Sequence, residues 1–196
     1  SKGLGGMVAS LGITTAALYG TMRAMSGVVS VGRNFEKNMS NVAAISGASG
    51  EALQALEKNA RELGSTTVFT ASQVAELQTE FAKLGFSSKE IQGVTKDTLA
   101  LASASGSDLA TSALVAGQTL RAFGLEVSET SRVTDTMAKS FSRSALDMDK
   151  FSNSMQYVAP VAKQVGLEVE STTAMLGTLA NAGISGSMAG TSLRRI

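Results

Sequence analysis

The sequence predicts an all-α fold: an array of short antiparallel helices joined as helical hairpins, preceded by a longer N-terminal helix rich in small residues. Three observations predict it. A single Pro, Pro160, occurs in 196 residues, whereas chains built from strands and turns recruit more breakers. Apolar residues recur at steps of three and four and never sustain an alternation of two. Polar capping residues and Gly-apolar pairs mark helix starts and stops at regular intervals.

From Gly3 to Met22 there is no charged residue, and Gly12, Ala16, Gly20 and Ala24 recur every fourth position. On a helix these four form a ridge of small side chains that lets another helix come close. Residues 1–46 are therefore expected to be an apolar, Gly/Ala-rich helix used for self-association, and 47–196 a compact multi-helix core. The next stripes are Leu53, Leu56, Ala60 and Leu63; Val74, Leu77, Phe81 and Leu84; and Ile91, Val94, Thr98 and Leu101. They continue as Leu109, Ala113, Ala116, Leu120 and Phe123, then Met148, Phe151, Met155 and Val158.

Thr70 with Gln73, and Ser87 with Glu90, have the spacing at which a hydroxyl and a long side chain satisfy each other's backbone amides at a helix start. Ser107 with Asp108, and Ser128 with Glu129, offer further oxygens and favourable charge. Gly85-Phe86, Gly124-Leu125, Gly166-Leu167 and Gly183-Ile184 mark stops, because Gly takes the left-handed conformation and the next side chain folds back on the last turn. These signals place helices near 51–63, 71–84, 88–105, 108–123, 129–143, 147–165 and 171–182, with another opening near Ser187. Pro160 should kink or split the sixth, since it removes an amide donor. Short connections imply that sequential helices mostly pack antiparallel. Gly124-Leu-Glu-Val-Ser-Glu-Thr and Gly166-Leu-Glu-Val-Glu-Ser-Thr form a weak repeat, 42 residues apart.

Composition removes most enzyme classes. With no His and no Cys, there is no Ser-His-Asp or Cys-His machinery, no standard zinc ligand set and no disulfide. Seventeen Lys plus Arg against 16 Asp plus Glu leave a net charge of +1, too little excess for phosphate-driven nucleic-acid binding. Arg194 and Arg195 are an isolated basic pair. Only 5% of residues are aromatic, so the core must use small side chains and close helix approaches.

Local motifs fail on inspection. Gly3-Leu4-Gly5-Gly6-Met7-Val8 lacks the third glycine of a dinucleotide fingerprint and follows no strand. Asp147-Met148-Asp149 opens like a calcium loop, but Phe151 stands where an oxygen ligand is needed, so helix-start electrostatics explains it better. Gly183-Ile-Ser185-Gly-Ser187 has no base and reads as a turn with an N-cap. The dispersed Met residues fit gap-filling in the core. No catalytic residue, cofactor or metal is expected.

From Phe35 onward an ordered series carries more information than any single motif. It runs through Phe35-Glu36, Ala60-Arg-Glu-Leu-Gly64, Thr67-Val-Phe69, Ala71-Ser-Gln-Val-Ala75, Leu84-Gly-Phe86, Leu101-Ala102, Gly106, Asp108-Leu109 and Phe123-Gly-Leu125. Tyr157-Val-Ala-Pro160, Gly166-Leu167, Leu179-Ala-Asn-Ala-Gly-Ile184 and Gly186-Ser-Met-Ala-Gly-Thr-Ser-Leu-Arg194 complete it. The series resembles the core segment of tail tape measure proteins of long-tailed bacteriophages and their prophage remnants.

That resemblance implies a non-enzymatic virion component, made in the host cytoplasm and located in the tail lumen or at the tail tip. Members of that family set tail-tube length during assembly and leave on genome ejection. The partners it implies are further copies of itself in a homo-oligomer, the tail tube, tail-tip or baseplate hub proteins and tail assembly chaperones, with no sequence-specific nucleic-acid binding. A compact segment with short loops adds little extension, so a folded interaction module is expected here. The chain opens at Ser1 and stops at Ile196 within a helical run, which predicts a piece of a longer polypeptide. An alternative starts from Leu4 to Met22, whose uncharged length approaches the roughly 20 residues that cross a bilayer. It is a helical segment that enters the host membrane during DNA delivery.

Overall fold

The computed structural model describes residues 32–195, and among them every regular element is helical. The helices are α1 (32–46), α2 (Gly50–Thr66), α3 (Ala71–Lys83), α4 (Ser88–Ser105) and α5 (Leu109–Phe123), then α6 (Thr130–Arg143), α7 (Met148–Gln164), α8 (Val169–Asn181) and α9 (Gly186–Leu193). A 3-10 turn, Val127–Glu129, precedes α6. The all-α expectation is met. The ridge of Gly12, Ala16, Gly20 and Ala24, with the run from Leu4 to Met22, lies outside the described residues.

The boundaries arise from the expected caps. Thr70 and Ser87 both close reciprocal capping boxes, with Thr70 N donating to Gln73 Oε1 at 2.8 Å and Ser87 N to Glu90 Oε2 at 2.7 Å. Asp108 and Asp147 are N-caps whose carboxylates accept from the amides of Thr111 and Lys150 at 2.9 and 2.8 Å. At the C-termini, Gly85, Gly124, Gly166 and Gly183 all have φ between 67° and 82°. The following amides, of Phe86, Leu125, Leu167 and Ile184, donate five residues back to Phe81, Leu120, Ala162 and Leu179. That is the double-bonded glycine stop, in which the left-handed residue lets the chain leave while its successor re-covers the last turn.

Three local expectations need correction. Ser128 makes no cap: the Glu126 amide donates to Glu129 Oε2 instead, and a 3-10 turn moves the start of α6 to Thr130. Of the two outcomes expected at Pro160, a kink or a split, the split does not occur, since α7 runs on to Gln164. Pro160 is exposed, so the Gln156 carbonyl deprived of its helical donor sits on the outer face, where the loss costs least. The seventh predicted helix starts earlier, at Val169, with Glu168 as N-cap.

From α3 onward each helix packs more extensively on the helix two places along the chain than on the next one. The result is two rows, α2-α4-α6-α8 and α3-α5-α7-α9. Side-chain contacts give the directions. Arg132, in the first turn of α6, reaches Glu168 and Glu170 at the start of α8, and Ala145 N, just past α6, donates to Asn181 Oδ1 at the end of α8 at 2.7 Å. Neighbours in that row therefore point the same way. In the other row, Arg121 near the end of α5 donates to the Gly85 carbonyl at the end of α3 at 3.1 Å, and Lys163 at the end of α7 lies against Gly124. By contrast α2 and α3 are antiparallel, since Gly64 faces Ala71 while Gln78 Nε2 donates to the Leu56 carbonyl at 3.1 Å.

The core runs between the rows. Leu56, Leu77, Phe81, Ile91, Leu101, Leu120, Met137, Phe151 and Leu176 are all fully buried. Helix α1 contributes Phe35, Met39 and Val42 to the same cluster, and Asn38 Nδ2 donates to the Ser72 carbonyl at the start of α3. With few rings available, tightness comes from small residues. A β-carbon at Gly64 would lie 2.5 Å from the Ala71 amide nitrogen, and one at Gly190 would overlap the Ser154 carbonyl. Of the described Met residues, Met39, Met137, Met148 and Met155 fill core gaps, but Met188 is exposed, so gap-filling does not explain it.

Candidate functional site

Among the described residues no three His, Cys, Asp or Glu side chains converge as a metal would require. No described helix is long and apolar enough to cross a membrane. The chemistry on offer lies in the grooves between same-direction neighbours and in the ionic residues along them.

The first groove, of about 470 Å³, lies between α5 and α7 and is lined by Val115, Thr119, Arg121, Met155, Gln156 and Pro160. Its surroundings are nearly free of charge: Arg121 is the one ionic residue of α5, and Leu114 and Tyr157 are exposed beside it. Arg121 itself lies 4.4 Å above the Phe86 ring while donating to the Gly85 carbonyl. It therefore ties the ends of α3 and α5 together. A second hollow, where the α4–α5 and α6–α7 turns meet, contains Asp108, Asp147 and Asp149. The first two are already committed to caps. The Thr111 amide and hydroxyl hold the Asp108 carboxyl below its ordinary value. Burial opposes the same shift at Asp147, but the hydrogen bonds and charge of Lys150 prevail and its value is also lowered.

The other row carries the ionic surface. Arg132 bridges Glu129 at 2.8 Å, Glu168 at 3.4 Å and Glu170, tying the turn before α6 to the start of α8. The Arg132 hydrogen bond is the main reason that Glu170 is held below the ordinary carboxylate range. Asp97 on α4 moves the other way: burial raises it, the neighbouring Lys96 lowers it, and Asp135 on α6 raises it further. Beyond these groups, Lys139 and Arg143 line a groove of about 410 Å³ between α6 and α8, together with Ser140, Thr173 and Gly177. Neither cation has a carboxylate within 4.0 Å among the described residues.

Sequence reasoning singled out none of this surface. A signal was present, because Arg132, Thr136, Lys139, Ser140 and Arg143 recur at helical spacing and so share a face. What was hidden is the opposing wall, contributed by α8 from more than thirty residues away. The residues that sequence reasoning did single out, Gly12, Ala16, Gly20 and Ala24, are outside the described part.

The pattern that defines phage-related minor tail proteins matches residues 57–196, which span α3 to α9 and most of α2. The tape measure protein of Pneumococcus phage Dp-1 is 39% identical over 183 residues, covering 93% of this chain and 16% of the relative. The probable tape measure protein of Escherichia phage P2 is 34% identical over 199 aligned positions, covering 100% of this chain and 24% of the relative. The chain thus spans a quarter or less of the curated relatives it matches. No solved structure matches it. With a family pattern that takes in both rows of helices, and tail-protein relatives aligned along nearly the whole chain, the sequence belongs to the phage-related minor tail protein family.

Proposed function

We propose that this chain is a folded interaction module within a tape measure protein, one that sets tail-tube length during assembly and is released at genome ejection. The module sits in the tail lumen or close to the tip. Its partners are further copies of itself, the tail tube, the tip or baseplate hub and the tail assembly chaperones. The observation that carries the module role is the stacking of short helices side by side. An extended helix advances about 1.5 Å per residue, so a 42-residue repeat would span about 63 Å. Stacked in two rows, the same repeat adds one interaxial step to each row, about 8–10 Å. Such a segment is a poor ruler and a good scaffold for surfaces.

The test is a phage whose tape measure gene carries this segment with residues 125–166 deleted in frame, its tails measured by electron microscopy. Lost or malformed tails are expected. Intact tails shortened by about 63 Å would refute the module role, because the segment would then contribute length as an extended helix does.

The uncharged run from Leu4 to Met22 supports a second role, entry into the host envelope during delivery. Flotation of the chain with anionic phospholipid vesicles tests it: co-flotation lost on changing Leu11 and Leu18 to Asp supports insertion, and a chain that stays at the bottom of the gradient refutes it.

A further inference from the structure

The α6–α8 groove combines an unused hydrogen-bond donor with unpaired positive charge. Thr173 is 1% exposed and its hydroxyl has no partner among the described residues. Other buried threonines in this fold satisfy themselves: Thr79, Thr95, Thr98, Thr119 and Thr172 each donate to the carbonyl four residues earlier. Thr173 does not, and it lies on the lining of the groove. A buried hydroxyl without a partner is costly, and it marks a place where another group completes the bond.

The walls agree with that. On α6, Lys139 and Arg143 stand one turn apart, about 6 Å along the axis. On α8, Gly177 lets α6 pack close at the base of the groove, since a β-carbon there would meet Ser144 Oγ at 3.1 Å and Ser140 Oγ at 3.3 Å. Ser140 has a hydroxyl with no hydrogen bond of its own among the described residues, and Asn181, whose side-chain oxygen accepts from Ala145 N, lines the groove as well. Thr136, Ser144 and Thr178 on the same lining donate to carbonyls of their own helices, so the groove offers the Thr173 and Ser140 hydroxyls with two cations on one rim. Glu170 closes one end, neutralised by Arg132, and Asp135 lies on α6 one turn before Lys139.

We propose that this groove docks an acidic segment of another protein, a helix presenting two carboxylates four residues apart. One carboxylate meets Lys139 and the other Arg143, and the Thr173 hydroxyl donates to the deeper oxygen. Charge complementarity selects the class of partner. A long polyanion such as duplex DNA would have to run past the Asp135 carboxylate, where like charge opposes it, whereas a pair of carboxylates spans only Lys139 and Arg143. The docking site depends on the groove alone and not on the role in the tail.

The test is an amide chemical-shift titration of the chain with an Ala-rich helical peptide carrying two Glu four residues apart. Saturable shifts confined to the groove, centred on Lys139, Ser140, Arg143, Thr173 and Gly177, are expected, and none with the Glu→Gln counterpart. Replacing Lys139 and Arg143 together by Gln should weaken binding at least about tenfold, and raising salt should weaken it in the parent chain. Thr173→Val separates docking from folding. It removes an unpartnered hydroxyl at constant shape, so the melting temperature should hold or rise, while binding falls by roughly threefold, the loss of one modest hydrogen bond. Binding unchanged in the double Gln variant, no groove shifts at all, or the same shifts produced at lower concentration by inorganic phosphate or duplex DNA would each overturn the assignment.

Discussion

Replacing Gly64 by Ala adds one methyl group to the tightest described crossing in the α2–α3 pair. Gly64 is not one of the positive-φ glycines, so space and not backbone conformation is at stake. The new carbon would sit 2.5 Å from Ala71 N, 2.7 Å from Ala71 Cα and 3.0 Å from Ala71 Cβ. Two of those atoms are backbone and cannot rotate aside, so α3 must retreat by several tenths of an ångström or more. The four-residue link from Thr67 to Thr70 resists this, and so do the bonds from Gln78 Nε2 to the Leu56 carbonyl and to Asn59 Oδ1, both 3.1 Å. Overpacking costs about 1–3 kcal/mol, and stretching a buried hydrogen bond adds up to about 1 kcal/mol. Against this, Ala gains about 1 kcal/mol over Gly within a helix. The net loss is about 0–3 kcal/mol, and reaches the upper end if both Gln78 bonds stretch.

Gly93→Ala is the control. There the obstacle is Val127 Cγ1 at 2.5 Å, with Val127 Cβ already 3.9 Å away, so a rotamer change costing about 1 kcal/mol clears the clash. The helix-propensity gain of about 1 kcal/mol offsets it. Thermal unfolding followed by circular dichroism reads both variants. For a chain this long, 1 kcal/mol moves the midpoint by about 2–4 °C. Gly64→Ala should therefore melt several degrees below the parent, and Gly93→Ala close to it. A Gly64→Ala midpoint at or above the parent, or equal losses in both, would refute the claim that close backbone approach holds α2 on α3.

Thr70→Ala and Ser87→Ala should each cost about 1 kcal/mol in urea unfolding through the lost cap, while Ser128→Ala should be silent; a cost at Ser128 equal to the others would contradict the 3-10 start of α6. Glu90, Asp108, Asp147 and Glu170 all have depressed carboxyl values in the fold. Their contribution is fully present above the ordinary carboxylate range, about pH 4, and is lost as pH falls through the depressed values. Urea midpoints should accordingly fall on acidification below about pH 4. Asp97 runs oppositely, because its raised value means that its ionised form destabilises the fold, so Asp97→Asn should raise the midpoint at neutral pH. Replacing Gly12 and Gly20 together by Leu should lower the oligomer mass measured by light scattering if the ridge packs on identical copies, and an unchanged mass would show that it does not.

Much of this protein was legible locally. Capping boxes, glycine stops and apolar stripes act over three to seven residues, within one helical turn or two, so Thr70, Ser87, Asp108, Gly85 and Gly124 could be placed before any packing was known. The failures were local competitions with two permitted outcomes. At 126–130 the Glu129 carboxylate accepts from the Glu126 amide and the chain tightens into a 3-10 turn, so the helix starts after Ser128 and not from it. At Pro160 the exposed position on α7 let the helix continue, and exposure is a property of packing.

Which helices lie side by side was decided only by the tertiary structure. A stripe says that a face is buried but not against what, and the stripes of α3, α4, α5 and α7 are too alike to choose partners. The choice fell to contacts between residues more than thirty positions apart: Arg132 with Glu170, Asn181 with Ala145, Arg121 with Gly85 and Gly190 with Ser154. These set α8 beside α6, α5 beside α3 and α9 beside α7. The α6–α8 groove exists for the same reason. Its second wall comes from α8, and only close packing in space brings Thr173 and Gly177 opposite Lys139 and Arg143.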